Sequence, residues 1–188
     1  MHWRVMLGLC AALLSAGPRA DVLETLAARE GMAGQFTQEI ISPEGEVLER
    51  SNGNFSMLRP HFFRWEILAP DRQLLLANSD QLTQIDWDLE VVVERPIVET
   101  ASSPLQWLLA SRARLDAAFD ISLTGDTVVL IPVDPQSPYQ RRDIALMSET
   151  VWRLDAEDRG GQVLRVELRE NIDRPPQIAD FVSPPTPF

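Results

Sequence analysis

Between Gly34 and Arg95 the apolar side chains recur at every second position in short runs, and each run stops at a cluster of turn-forming residues. That period suits a half-buried strand rather than a helix. In the first run Phe36, Gln38 and Ile40 alternate with Gln35, Thr37 and Glu39 until Ser42-Pro43-Glu44-Gly45 turns the chain. The second run, 46–58, sets Gly53, Phe55, Met57 and then Arg59 on one face and Asn54, Ser56 and Leu58 on the other. Pro60 cannot donate to a ladder, so a third strand is expected only from 62 to 68. Ala69-Pro70-Asp71, Asn78-Ser79-Asp80 and Trp87-Asp88 then separate runs at 72–77, 81–86 and 89–95. Five or six antiparallel strands in a meander follow from this spacing.

Two segments depart from that rhythm. Asp21 can cap a short helix in which Val22, Leu23, Leu26 and Ala27 recur at helical spacing before Gly31. Over 100–111, Ser103 suits an N-cap, Pro104 the first helical position and Gln106 a capping box, with Leu105, Trp107, Leu108 and Leu109 making the helix strongly apolar. Further hairpins are expected at 119–123 with 127–131 around Gly125-Asp126, and at 151–154 with 163–168 around Gly160-Gly161. The stretch 144–147 fits either state. From Arg174-Pro175-Pro176 to Phe188 the tail is too rich in proline for a central strand. No repeat or linker divides the chain. The reading is mainly β with α: a single curved antiparallel sheet with two apolar helical segments, in one domain over 21–188.

Residues 1–20 are set apart from that domain. His2 and Arg4 precede an apolar run from Val5 to Leu14, and small residues follow at Ser15, Ala16, Gly17 and Ala20, the layout of a cleavable secretory signal peptide. The run is shorter than the roughly 20 apolar residues that span a bilayer. Asp21 is the expected mature start. Cys10, the chain's one cysteine, lies inside the leader behind Leu9, which is too large for the small residue that lipoprotein processing prefers. The mature chain then has no disulfide, no thiolate nucleophile and no cysteine-based metal site.

Charge removes other classes. All the basic residues are arginine; Arg4 and Arg19 leave with the signal, so 15 remain of the chain's 17 against 28 acidic residues, a balance of −13. Nucleic acid is not an expected ligand, and an anionic membrane surface would not attract such a chain by charge alone. His61 is the one histidine of the mature chain, without a Gly-x-Ser-x-Gly elbow, and reads as a turn residue rather than a base. No ligand spacing supports a metal site. The carboxylates Asp86, Asp88, Glu90 and Glu94 gather at a hairpin turn, where acidic residues are usually solvated. No catalytic residue, metal or other cofactor is expected. A sensor domain on a similar sheet would need an attached signalling domain or anchor, for which the length is expected to leave no room.

The face of the sheet that should point inward is unusually aromatic: Phe36, Phe55, Phe63, Trp65 and Trp87. Arg64 and Glu66 fall on the other face. A curved sheet needs a cover, and the apolar segment Leu105 to Leu109 is the obvious one. The helices either complete an ordinary core or form a lid over a cavity for an apolar ligand. Arg59 shares the face of Phe55 and Met57. It either holds lid carbonyls with its several donors or reaches past the rim to solvent.

In order along the chain, Phe36-Thr37-Gln38, Gly53 through Arg59-Pro60, Phe62-Phe63-Arg64-Trp65-Glu66, Leu74-Leu75-Leu76 with Asn78, Asp88-Leu89-Glu90, and Pro104 with Leu108-Leu109 resemble the LolA family of periplasmic lipoprotein carriers over roughly 21–130. The resemblance implies an open, incomplete β-barrel with a helical lid over an apolar cavity lined by Phe36, Phe55, Met57, Phe63, Trp65, Trp87, Leu105, Trp107, Leu108 and Leu109. It implies a monomer that takes the acyl chains of a lipoprotein from an inner-membrane ABC transporter to an outer-membrane receptor, with no bond made or broken. Arg59 resembles the family's lid latch, and Phe63 its phenylalanine needed for transfer. The chain departs from the pattern after Glu170, where the usual long final hairpin is missing and only Phe181 and Pro184-Pro185 match the customary end; Trp87 stands where the family often has tyrosine. A related carrier of another lipid, a glycolipid or polyene lipid, is the alternative that these departures leave open.

Overall fold

The alternating runs become eleven strands. In the computed structural model, which describes residues 22–96 and 106–185, they are β1 (Gly31–Ile41), β2 (Val47–Leu58), β3 (Phe62–Ala69), β4 (Gln73–Ala77), β5 (Gln81–Asp86), β6 (Val91–Pro96), β7 (Phe119–Thr124), β8 (Thr127–Pro132), β9 (Tyr139–Ser148), β10 (Val151–Asp158) and β11 (Val163–Glu170). Helix α1 covers Val22–Ala27, a 3-10 turn covers Gln106–Leu109, helix α2 covers Arg112–Ala118, and a last 3-10 turn covers Ile178–Phe181. The signal segment 1–20, Ser103, Pro104 and Leu105 lie outside the described residues.

All eleven strands join one antiparallel sheet in the order β6-β5-β4-β3-β2-β1-β11-β10-β9-β8-β7. Two meanders meet at its centre, where β1 pairs with β11 from Gly34 opposite Glu170 to Ile41 opposite Val163. Strands β6 and β7 are its two edges, so the curved sheet stays an open barrel. The ambiguous stretch 144–147 lies inside the ten-residue strand β9, opposite β10.

Register explains the inner face. Met32 lies opposite Met57, Phe36 opposite Gly53, Phe55 opposite Trp65 and Met57 opposite Phe63, so these side chains project to one side. On the far meander Val128, Leu130, Ile144, Trp152, Leu154, Val166 and Leu168 project to the same buried cluster. Leu23 and Leu26 of α1, Trp107 and Leu108 of the 3-10 turn, and Leu115 of α2 fill the space inside the curve.

The sequence reading needs correction in three places. Over the described part of 100–111 there is no continuous helix: Gln106–Leu109 is a 3-10 turn, and Ser111 then caps the separate helix α2, its Oγ accepting from the Arg114 N–H at 3.4 Å. Helix α2 was not expected at all. Trp87 is not on the inner face. It follows Ile85 by two residues and shares its parity, joining Leu74, Leu76, Ile85 and Phe181 in a second cluster on the back of the sheet. Phe181 reaches that cluster because the proline-rich segment after β11 crosses the back face, anchored where the Asn171 N–H donates to the Ala33 carbonyl at 2.7 Å.

Candidate functional site

Trp65 is the hub of the inner face. Phe36 stacks on it with ring centroids 3.7 Å apart and planes at 21°, Phe63 lies parallel at 6.0 Å, and Phe55 tilts against it at 6.3 Å. Gly53 makes the closest stack possible. It stands between the Phe36 ring and the Glu66 carbonyl on β3, and a Cβ there would collide with both. The rings are nearly sealed: Phe36 and Phe55 keep 2% of their surface and Phe63 keeps 1%.

The cover is tied down at Arg59, directly after β2. Its guanidinium donates five hydrogen bonds, all to backbone carbonyls: from Nε to Arg29 (3.0 Å), from Nη1 to Leu109 (2.7 Å) and Ala110 (3.1 Å), and from Nη2 to Leu26 (3.2 Å) and Leu108 (2.9 Å). Five is the full donor complement of an arginine side chain. Three bonds hold the 3-10 turn and its exit, and two hold the last turn of α1 at Leu26 and the chain just beyond it at Arg29. The side chain turns under the cover rather than out to solvent. Burial lowers the guanidinium from its ordinary value, which leaves it charged at any physiological pH.

Among the described residues, side chains occupy the space beneath the cover where an apolar cavity was expected. The opening bounded by Leu26, Met32, Met57, Arg59, Leu108 and Leu109 measures about 10 Å³, at most the room one water needs. Trp107 and Leu108 are buried in the inner cluster, and Leu109 packs on its edge. Of the proposed lining residues, Phe36, Phe55, Met57, Phe63, Trp65, Trp107, Leu108 and Leu109 therefore come together; Trp87 does not, and Leu105 lies outside the described residues.

A larger cavity, about 740 Å³, opens on the back of the sheet between β1–β3 and the segment after β11. Its walls are polar. Glu66 accepts from Arg64 (2.9 Å) and Arg72 (2.8 Å), and Arg174 pairs with Asp180 at 3.4 Å. Burial pushes the Glu66 carboxyl up, but the hydrogen bonds and charges of Arg72 and Arg64 outweigh it and hold the group below the usual carboxylate range. A wall of paired charges offers nothing to an acyl chain.

Sequence reasoning missed the far half of the inner face. Trp152 and Leu154 on β10, with Val166 and Leu168 on β11, alternate as clearly as Phe55 and Met57 do. Ile144 fixes the parity of β9 and with it the inward direction of Arg142. Among the described residues no three histidine, cysteine or acidic side chains gather as a metal site. Also among them, no helix is long and apolar enough to cross a membrane.

The family model for the outer membrane lipoprotein carrier protein LolA matches residues 28–181. An outer-membrane lipoprotein carrier protein of Bordetella avium is 30% identical over 179 residues, covering 92% of this chain and 85% of that one. Its counterpart in Vibrio cholerae is 31% identical over 150 residues, 79% of this chain and 75% of that one. Another, in Halorhodospira halophila, is 32% identical over 142 residues, 75% of this chain and 68% of that one. The match spans both meanders and the segment that crosses the back of the sheet: the chain belongs to the LolA family of outer membrane lipoprotein carrier proteins.

Proposed function

We propose that the protein is a periplasmic, monomeric carrier that lodges the acyl chains of a lipoprotein against the aromatic face around Trp65 and moves them from an inner-membrane ABC transporter to an outer-membrane receptor. Residues 1–20 are its cleavable signal, and 21–188 form the single carrier domain. The observation that carries this reading is Arg59. One charged side chain holds five carbonyls of two separate covering segments, and those segments lie over a large apolar face. Such a bond set is directional, so releasing one side chain frees both segments together. In this reading Arg59 is the latch. Phe63 becomes available for transfer only when the cover lifts, because it is 1% exposed when the cover is down.

Mass spectrometry of the lipid that co-purifies with the exported protein tests the proposal. A tri-acylated lipoprotein supports it. A glycolipid or polyene lipid would keep the carrier and change its cargo, and purified protein that takes up no acyl chain at all would refute it.

A further inference from the structure

Arg142 is the anomaly of the inner face. It lies on β9 opposite Leu130 and Ala156, two residues before Ile144, and keeps 9% of its surface. Its charge sits 5.1 Å from the centre of the Phe119 ring and 5.2 Å from that of Tyr139. Its Nε is buried with no hydrogen-bond partner. No carboxylate pairs with it among the described residues, although acidic side chains outnumber basic ones and Arg141 beside it pairs with Asp143 at 2.8 Å on the other face. On β10, Asp158, two residues beyond Ala156 and opposite Tyr139, has its Oδ1 taken by the N–H groups of Gly160 and Gln162.

A buried charge without a counter-charge is costly, and ring faces offset only part of that cost. The guanidinium edge matches the paired oxygens of a phosphate or carboxylate. Apolar side chains continue the row from it: Ile144 on β9, Leu130 and Val128 on β8, Leu154 on β10. Arg142 also stands six residues from Ser148, where β9 ends, about 20 Å at strand spacing, and that end is the one β1 begins from near Arg59. We propose that Arg142 binds the oxyanion head group, phosphate or carboxylate, of an amphiphile whose chain lies along the inner face. The inference rests on the carrier reading for the chain and adds a second ligand class, an anionic amphiphile, because the acyl groups of a tri-acylated lipoprotein end in uncharged ester and amide carbonyls.

Three probes with the same tail test it: dodecyl phosphate, dodecanoate and the uncharged dodecyl maltoside, titrated below their micelle concentrations by calorimetry. The native protein should bind an anionic probe at least about 10-fold more tightly than the maltoside, the low end for a charge-assisted pair. Preference for dodecyl phosphate alone identifies a phosphate site, and preference for both anions a general oxyanion site. Arg142→Met should bring all three probes within about 3-fold of one another, and Arg141→Met, which removes an equal charge from the outer face, should keep the gap. Native protein that does not separate the probes by charge, or Arg142→Met that still does, overturns the inference while leaving the carrier reading in place. Native protein that binds none of them overturns both. Should Arg142→Met fail to fold, Tyr139 supplies a second readout, since it is the chain's one tyrosine. Its labelled ring gives a single set of NMR signals that must move with the anionic probes and not with the maltoside; signals that stay put overturn the inference.

Discussion

Replacing Arg59 by leucine removes all five cover bonds while leaving an apolar side chain at the end of β2. Three of those bonds, to Leu108, Leu109 and Ala110, are 2.7–3.1 Å long and hold the 3-10 turn. A charged donor contributes about 1.5–3 kcal/mol per bond where water is excluded, but the site is half-buried and the freed carbonyls can turn to solvent. About 1 kcal/mol for each of the three puts the loss near 3 kcal/mol, which raises the open population of the turn roughly 100-fold. Hydrogen exchange read by mass spectrometry suits the test, because the Ala110 N–H donates to the Trp107 carbonyl at 3.0 Å and exchanges only when the turn opens. Protection at Ala110 should fall by about two orders of magnitude in Arg59→Leu while the β10–β11 ladder keeps its protection. A folded variant in which Ala110 exchanges within about 3-fold of the native rate would refute the argument that these bonds hold the cover.

Gly53→Ala drives a methyl group into the Glu66 carbonyl and the Phe36 ring, so the stack on Trp65 must break; a loss of about 3 kcal/mol or more is expected in urea unfolding, and a loss below about 1 would show that the site can yield. Phe63→Ala should cost about 3–5 kcal/mol because the ring is fully packed, and Phe63→Leu far less; a transfer defect that appears only in the alanine variant would then be a folding defect. Glu66 is an acid held below its unfolded value, so its contribution is present above about pH 4.3 and is lost as pH falls through the folded value. The urea midpoint of the native protein should therefore fall more steeply than that of Glu66→Gln between about pH 5 and pH 3, and parallel curves would contradict the assignment.

Strand alternation made β1 to β3 legible, because their inward rows of Met57, Phe55, Phe63 and Trp65 face a core while Asn54, Ser56 and Arg64 do not. Leu74-Leu75-Leu76 defeats that logic. Leu75 packs on the inner cluster while Leu74 and Leu76 belong to the back one, so β4 is apolar on both faces and cannot say which way β5 points. Trp87 was misplaced for that reason, and the residue that would have corrected it, Phe181, lies more than ninety positions away. Helix α2 carried no signal because Leu115 is its one large apolar side chain among arginines, alanines and an aspartate. Its place comes from burying that leucine against the sheet, a tertiary cause. The five-bond geometry at Arg59 was equally beyond periodicity, which puts the side chain at the rim but cannot tell an inward guanidinium from an outward one.

The packed inner face bears on how the proposed carrier could work. A permanently open cavity would leave Phe36, Phe55, Phe63 and Trp65 in contact with water whenever the protein is empty, an apolar surface that invites aggregation. With the cover down these rings keep 1–6% of their surface. The cost of lifting the 3-10 turn is then shared between about 3 kcal/mol of its three latch bonds and the ring packing that must part. An entering acyl chain returns about 0.8 kcal/mol for each methylene it buries, so about four methylenes offset the latch and the remaining length of a long chain is left to displace the rings. Short chains would gain too little to open the protein. Selection for long acyl chains thus follows from the strength of the closed state, with no dedicated end wall to measure length, and it weakens in step with any substitution that loosens Arg59.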